Sequence, residues 1–163
     1  MILVIDGFNL IYKFPQLEEL MYNSQLDSAR AGLLTMLEKF QKAQKNLTIY
    51  VFFDGKKGAG STVIEDLHGK MKIHYSQELT ADHYIKLFIK ANPNPSNLTV
   101  VSSDKDILGF CKRYSAKIQK SEDFAKWVES SFQIEKNVDE KDSVVNLSEE
   151  EVEYWHNLFL RKK

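Results

Sequence analysis

Residues 1–11 read MILVIDGFNLI, and the way this stretch opens decides the fold. Its first five residues are a continuous apolar run, which Asp6-Gly7 ends. A run of that length closed by a turn signal reads as a strand buried on both faces, the pattern of a central strand in a parallel sheet. Residues 47–55 repeat the figure: LTIYVFF is β-branched and aromatic and runs into Asp54-Gly55.

Outward from these strands, helical and extended patterns alternate. In DSARAGLLTMLEKFQKAQK (27–45) Ala29, Leu33, Leu37 and Phe40 recur at helical spacing, with Asp27 placed to cap the helix. A loop, KKGAGST, follows the second strand. Residues 71–75 (MKIHY) alternate apolar and polar and predict a third, more exposed strand. Thr80 opens a helix along TADHYIKLFIKAN, whose residues Tyr84, Ile85, Leu87, Phe88 and Ala91 are expected to face inward, and Pro93 and Pro95 stop it. Residues 98–101 (LTVV) predict a fourth strand, Ser102-Ser103-Asp104 leads into a helix through DILGFCKRY, and residues 116–119 supply a short fifth strand. Strands alternating with helices imply βαβ units, hence an α/β domain with a parallel sheet and helices on both faces. Residues 133–147 are polar and weakly patterned and read as a linker or arm. A capping box at Ser148 and Glu151 then opens a final helix with Trp155, Leu158 and Phe159 on one face, expected to dock back on the domain.

Composition narrows the function. At 163 residues the chain is long enough to bury its own core, and no apolar run approaches the ~20 residues that cross a bilayer. No basic region precedes the first apolar run and Asp6 interrupts it, so no secretory signal is expected and the cytoplasm is the expected compartment. Cys111 is the single cysteine, which excludes an intramolecular disulfide and a multi-thiolate metal site; any metal must bind oxygen or imidazole. The formal charge of -1 decides nothing about nucleic acid, because it averages an acidic site with any basic rim.

Acids stand where a parallel sheet gathers its ligands. Beyond the carboxyl ends of the strands, residues distant in sequence become neighbours. Asp6 ends the first strand, Asp54 the second, Asp104 follows the fourth, and Asp82 lies in the first turn of the helix leading to it. Carboxylates converging in one cleft repel, and a bound Mg²⁺ or Mn²⁺ is the usual remedy. Taken singly, each acid also has a structural reading: Asp-Gly makes turns, and Asp82 and Asp106 stand where a helix favours negative charge.

The segments IDGFNLI, VFFDG, TAD and VSSDKDI, in this order and at these strand ends, resemble the NYN family of PIN-like nucleases and, within it, the YacP-like subgroup of ribosome-associated endoribonucleases. FPQLEEL, SARAGLLTMLEKFQ and LSEEEVEYWHNLF extend the likeness over most of the chain. The resemblance implies a PIN-like three-layer fold, with residues 1–132 as the nuclease domain, 133–147 as the arm and 148–163 as a helix packed on that domain. It implies a Mg²⁺- or Mn²⁺-dependent endoribonuclease acting on RNA, in the setting of messenger RNA and the ribosome. Asp6, Asp82 and Asp104 would be the catalytic, metal-holding acids, Asp54 a further ligand or supporting acid, and Asn9 a partner of a carboxylate or a substrate phosphate. One position departs from the pattern. PIN-like sites often carry another acid after the Asp of TAD, and here it is His83, which implies that a second metal binds weakly or only with substrate.

Lys56 and Lys57, next to Asp54, are candidates for RNA phosphate contacts, with Lys105 extending the basic rim; a solvated turn is the plainer alternative for the loop. Gly55 and Gly60 have phosphate-loop spacing, but Ser61 stands where that loop requires Lys. Phe8 occupies the place of the second Asp that a haloacid-dehalogenase phosphatase needs. Two other functions fit the same acids: a structure-specific DNA nuclease, and a non-catalytic RNA-binding or ribosome-docking module whose metal site has decayed.

Overall fold

The computed structural model describes residues 1–55, 63–68, 70–76 and 79–141, with the backbone alone for 63–68 and 135–141. Its strands are β1 (Ile2–Asp6), β2 (Thr48–Asp54), β3 (Val63–His68), β4 (Met71–Ser76), β5 (Leu98–Val101) and β6 (Lys117–Gln119), joined in one sheet of order β3-β4-β2-β1-β5-β6. β1 is central, and β4, β2, β1, β5 and β6 are all parallel. β3 adds an antiparallel edge on β4. The helices are α1 (Gly7–Ile11), α2 (Pro15–Tyr22), α3 (Leu26–Ala43), α4 (Ala81–Ala91), α5 (Lys105–Arg113) and α6 (Ser121–Lys141).

Strand alternation divides the core in two. Leu3 and Ile5 of β1 and Ile49, Val51 and Phe53 of β2 pack against α1, α2, α3 and α6, while Val4 and Phe52 face α4 and α5 through Ile85, Ile89 and Ile107. The result is the three-layer α/β arrangement of a PIN-like domain. Gly7 lets α1 start directly from β1: a Cβ there would lie 2.4 Å from the Phe53 ring. Gly55, at φ +106°, turns the chain at the end of β2, a conformation that suits a residue without a Cβ.

The structure departs from the sequence reading in several details. α1, α2 and β3 are additional elements, and α3 begins at Leu26, so Asp27 stands inside its first turn instead of capping it. Residues 71–75 alternate as expected, but Met71, Ile73 and Tyr75 are buried, because β4 lies between β2 and β3 rather than at the edge. Leu87 is 47% exposed, since it sits two residues from the buried Ile85 on the opposite side of α4, and Ala91 is exposed as well. Residues 133–141 continue α6 where a polar arm is expected. The remainder of that arm and the final helix lie outside the described residues. No described helix is long and apolar enough to cross a membrane.

Candidate active site

The carboxyl ends of β1, β2 and β5 meet the first turns of α4 and α5. Asp6 shares the strand face of Val4, and Asp54 that of Phe52, so alternation turns both acids toward the α4–α5 side. Asp54 Oδ1 accepts a 2.6 Å hydrogen bond from Ala81 N and thereby holds the start of α4. Thr80 Oγ1 accepts from His83 N and caps the same helix. Asp82 is thus presented from a doubly anchored first turn.

Across the cleft, Asp104 caps α5, its Oδ1 accepting from Asp106 N at 2.9 Å and Ile107 N at 3.1 Å. Buried Ser102 connects this loop to the sheet: its Oγ donates to Asp6 Oδ2 and accepts from Asp104 N, each at 3.1 Å. Because α4 and α5 pack side by side, one carboxylate oxygen from each of Asp82, Asp104 and Asp106 lies within 4.8 Å of the others. Asp82 divides its oxygens. Oδ2 is 3.1 Å from Lys86 Nζ, which also pairs with Asp106 Oδ2, whereas Oδ1 is buried without a hydrogen-bond partner. A buried, unpartnered carboxylate oxygen among other acids is costly unless a cation meets it, and an all-oxygen donor set suits a hard divalent ion. The three acids can hold a metal.

Asp6 stands beside this cluster, tied to it through Ser102. Burial pushes its carboxyl up to about 6, and the charges of Asp54 and Asp104 add to the rise. The Ser102 hydroxyl and the Asn9 backbone N–H act against it.

The remaining residues singled out in the sequence occupy varied positions. Asn9 turns its Oδ1 into the protein, accepting from Ser103 N at 2.9 Å and Ser121 Oγ at 2.6 Å, so it clamps the Asp104 loop to α1 and α6. Asn9→Ala is therefore expected to destabilise the protein by about 1–3 kcal/mol, the cost of leaving such donors unpaired, as read by urea unfolding. Lys105 is exposed at the first position of α5. His83 is exposed, its ring edge-on to Tyr84. Lys56 and Lys57 lie outside the described residues. Asp106, Ser102 and Lys86 were not read as site residues from sequence. Asp106 had a signal, its i+2 spacing from Asp104 in one helical turn, and Lys86 had the i+4 spacing from Asp82 that forms ion pairs. Ser102 had none beyond its place at a strand end.

A PIN-like sheet with acids converging at its carboxyl edge defines a protein of the nuclease type. The chain belongs to the YacP-like NYN domain family, whose model matches residues 3–160. It is similar to the crystal structure of Rae1 (YacP) from Bacillus subtilis, with 26% identity and a TM-score of 0.69 over 88% of this chain and 82% of that one. A tryptophan-to-leucine mutant of the same Bacillus subtilis protein is 26% identical, with a TM-score of 0.68 over 93% of this chain and 89% of that one. No curated protein matches the chain.

Proposed function

We propose that this protein is a divalent-metal-dependent endoribonuclease that hydrolyses RNA, with messenger RNA on the ribosome as its working context in the cytoplasm. The observation that carries the metal reading is the buried, unpartnered Oδ1 of Asp82, a residue whose carboxylate lies within 4.8 Å of those of Asp104 and Asp106. Asp6, Asp82 and Asp104 are the acids we assign to catalysis and metal holding, and Asp106 joins them. Asp54 supports the set by fixing the first turn of α4 through Ala81. A Mg²⁺ or Mn²⁺ held by these acids would supply an acidified water and offset charge developing on the phosphate. Lys105, exposed at the start of α5 between Asp104 and Asp106 in the chain, is the residue we assign to a neighbouring phosphate, with Lys56 and Lys57 as further proposed contacts. Attack of water on phosphorus with departure of the 3′ oxygen leaves 5′-phosphate and 3′-hydroxyl ends. The choice of RNA over DNA rests on the family.

The test is incubation of the purified protein with labelled RNA and DNA, in Mn²⁺ or EDTA, with and without ribosomes. RNA should be cut in Mn²⁺ and left intact in EDTA. Full activity in EDTA overturns the metal mechanism, preferential cutting of DNA replaces the substrate, and RNA that is bound but never cut returns the protein to a non-catalytic module.

A further inference from the structure

Lys86 lies one turn along α4 from Asp82 and reaches across to α5. Its ammonium is 3.1 Å from Asp82 Oδ2, pairs with Asp106 Oδ2, and has the Phe110 ring centroid 5.9 Å away. The side chain is only 22% exposed, far less than a lysine paired at an open surface, such as Lys42 at 75%. A fixed positive charge therefore bridges two of the three clustered acids. It does so through the Asp82 oxygen that is not the buried, unpartnered one.

In a site that holds two divalent ions a shared carboxylate gives one oxygen to each ion, and Asp82 divides its oxygens in the same way, with Oδ2 on the Lys86 ammonium and Oδ1 unpartnered. We propose that Lys86 takes the place of a second cation, so that the Asp82–Asp104–Asp106 cluster binds one divalent ion; the proposal rests on reading that cluster as a metal site. Charge balance supports it. The Asp82, Asp104 and Asp106 carboxylates are neutralised by one divalent ion together with the Lys86 ammonium, and a second divalent ion would have to compete with that ammonium for Asp82 Oδ2 and Asp106 Oδ2. The geometry also divides the work: Asp82 Oδ1 remains for the ion, while Oδ2 is held and the carboxylate cannot rotate freely. Lys86 is in this sense a positioning residue.

Counting bound Mn²⁺ by electron paramagnetic resonance on the full chain tests this without reference to cleavage. The wild type should bind one ion, lost in Asp82→Asn. Lys86→Met should bind two, and Lys86→Arg should return the count to one. Melting curves in EDTA and in Mn²⁺ give a second readout: the rise produced by Mn²⁺ should be larger in Lys86→Met than in the wild type, whereas a lysine that only tied α4 to α5 would lower both curves equally. Two ions on the wild type, or one on both wild type and Lys86→Met, overturns the proposal and leaves the metal site standing. An absence of Asp82-dependent Mn²⁺ binding in either protein overturns the metal reading and the proposal with it. Should Lys86→Met fail to fold, Lys86→Gln and the wild-type count decide the question.

Discussion

Asp82→Asn should cleave RNA at least about a hundredfold more slowly than the wild type while the metal-free protein keeps or gains thermal stability. The combination separates a metal site from helix-start chemistry. In the metal-free protein Asp82 carries a buried oxygen without a partner and lies within 4.8 Å of two other acids. Repulsion between unit charges at that separation is about 1–3 kcal/mol for effective dielectrics from that of water down to about 20. The ion pair to Lys86 that the substitution gives up is partly exposed, and Lys86 keeps Asp106 as a partner, so its loss costs on the order of 1 kcal/mol. Relief of repulsion therefore outweighs the lost pair. A helix-start role predicts the opposite signs: a small loss of stability and little effect on cleavage. Added Mn²⁺ should raise the melting temperature of the wild type far more than that of the variant, because only a folded state that binds the ion is stabilised by it. The double variant Asp6→Asn/Asp82→Asn should cleave hardly worse than either single one, since residues acting as a unit lose their joint contribution once. Wild-type cleavage by both single variants would remove the cluster from the active site.

The elements that read plainly from sequence were those whose residues meet the same surroundings on both faces. β1 and β2 lie inside a parallel sheet with helices above and below, so their apolar runs are unbroken and easily seen. β3 pairs only with β4 at an edge, and its sequence VIEDLH mixes apolar and charged residues, which leaves neither a buried run nor clean alternation. α2 is eight residues long with Leu17 as its one buried residue, too little apolar face for a periodicity to register. Residues 133–141 are helical where their polarity suggested an arm, because polarity alone does not tell a helix from an arm.

Within the cleft, the rule that strand ends converge accounts for Asp6, Asp54 and Asp104 lying at one edge of the sheet. It could not say which carboxylates touch. That depends on how α4 packs beside α5, which brings Asp106 against Asp82 and leaves Asp54 on the backbone of Ala81. Asn9 shows the same limit. Its place after Asp6-Gly7 marked it for the site, but its side-chain oxygen faces two donors of the protein itself.

Asp6→Asn should stabilise the metal-free protein at pH 8 and do almost nothing for it at about pH 3. An ordinary aspartate near 3.8 is lifted to about 6 here, with burial as the main cause and the Asp54 and Asp104 charges adding to it. Well below the unfolded value of 3.8 both the folded and the unfolded chain hold this proton, and the shift has no effect. As the pH rises from 4 to 6 the unfolded chain releases its proton first, so the fold loses stability; above 6 the full penalty is present, at most about 3 kcal/mol. An Asn carries no charge to desolvate and keeps an oxygen that can accept from Ser102 Oγ, so it escapes the penalty at every pH. The gain should therefore grow between pH 4 and pH 6 and level off above that, as measured by urea unfolding in EDTA across the range. Saturating Mn²⁺ should close the gap from the other side, because a cation near Asp6 favours its charged form and restores the wild type. Cleavage by the variant should fall as it does for Asp82→Asn, so that stability and activity move in opposite directions. A gain independent of pH would mean that burial of the charge is not its source. A loss of stability at pH 8 would show that the carboxylate is held in place by its neighbours rather than tolerated for the sake of the ion.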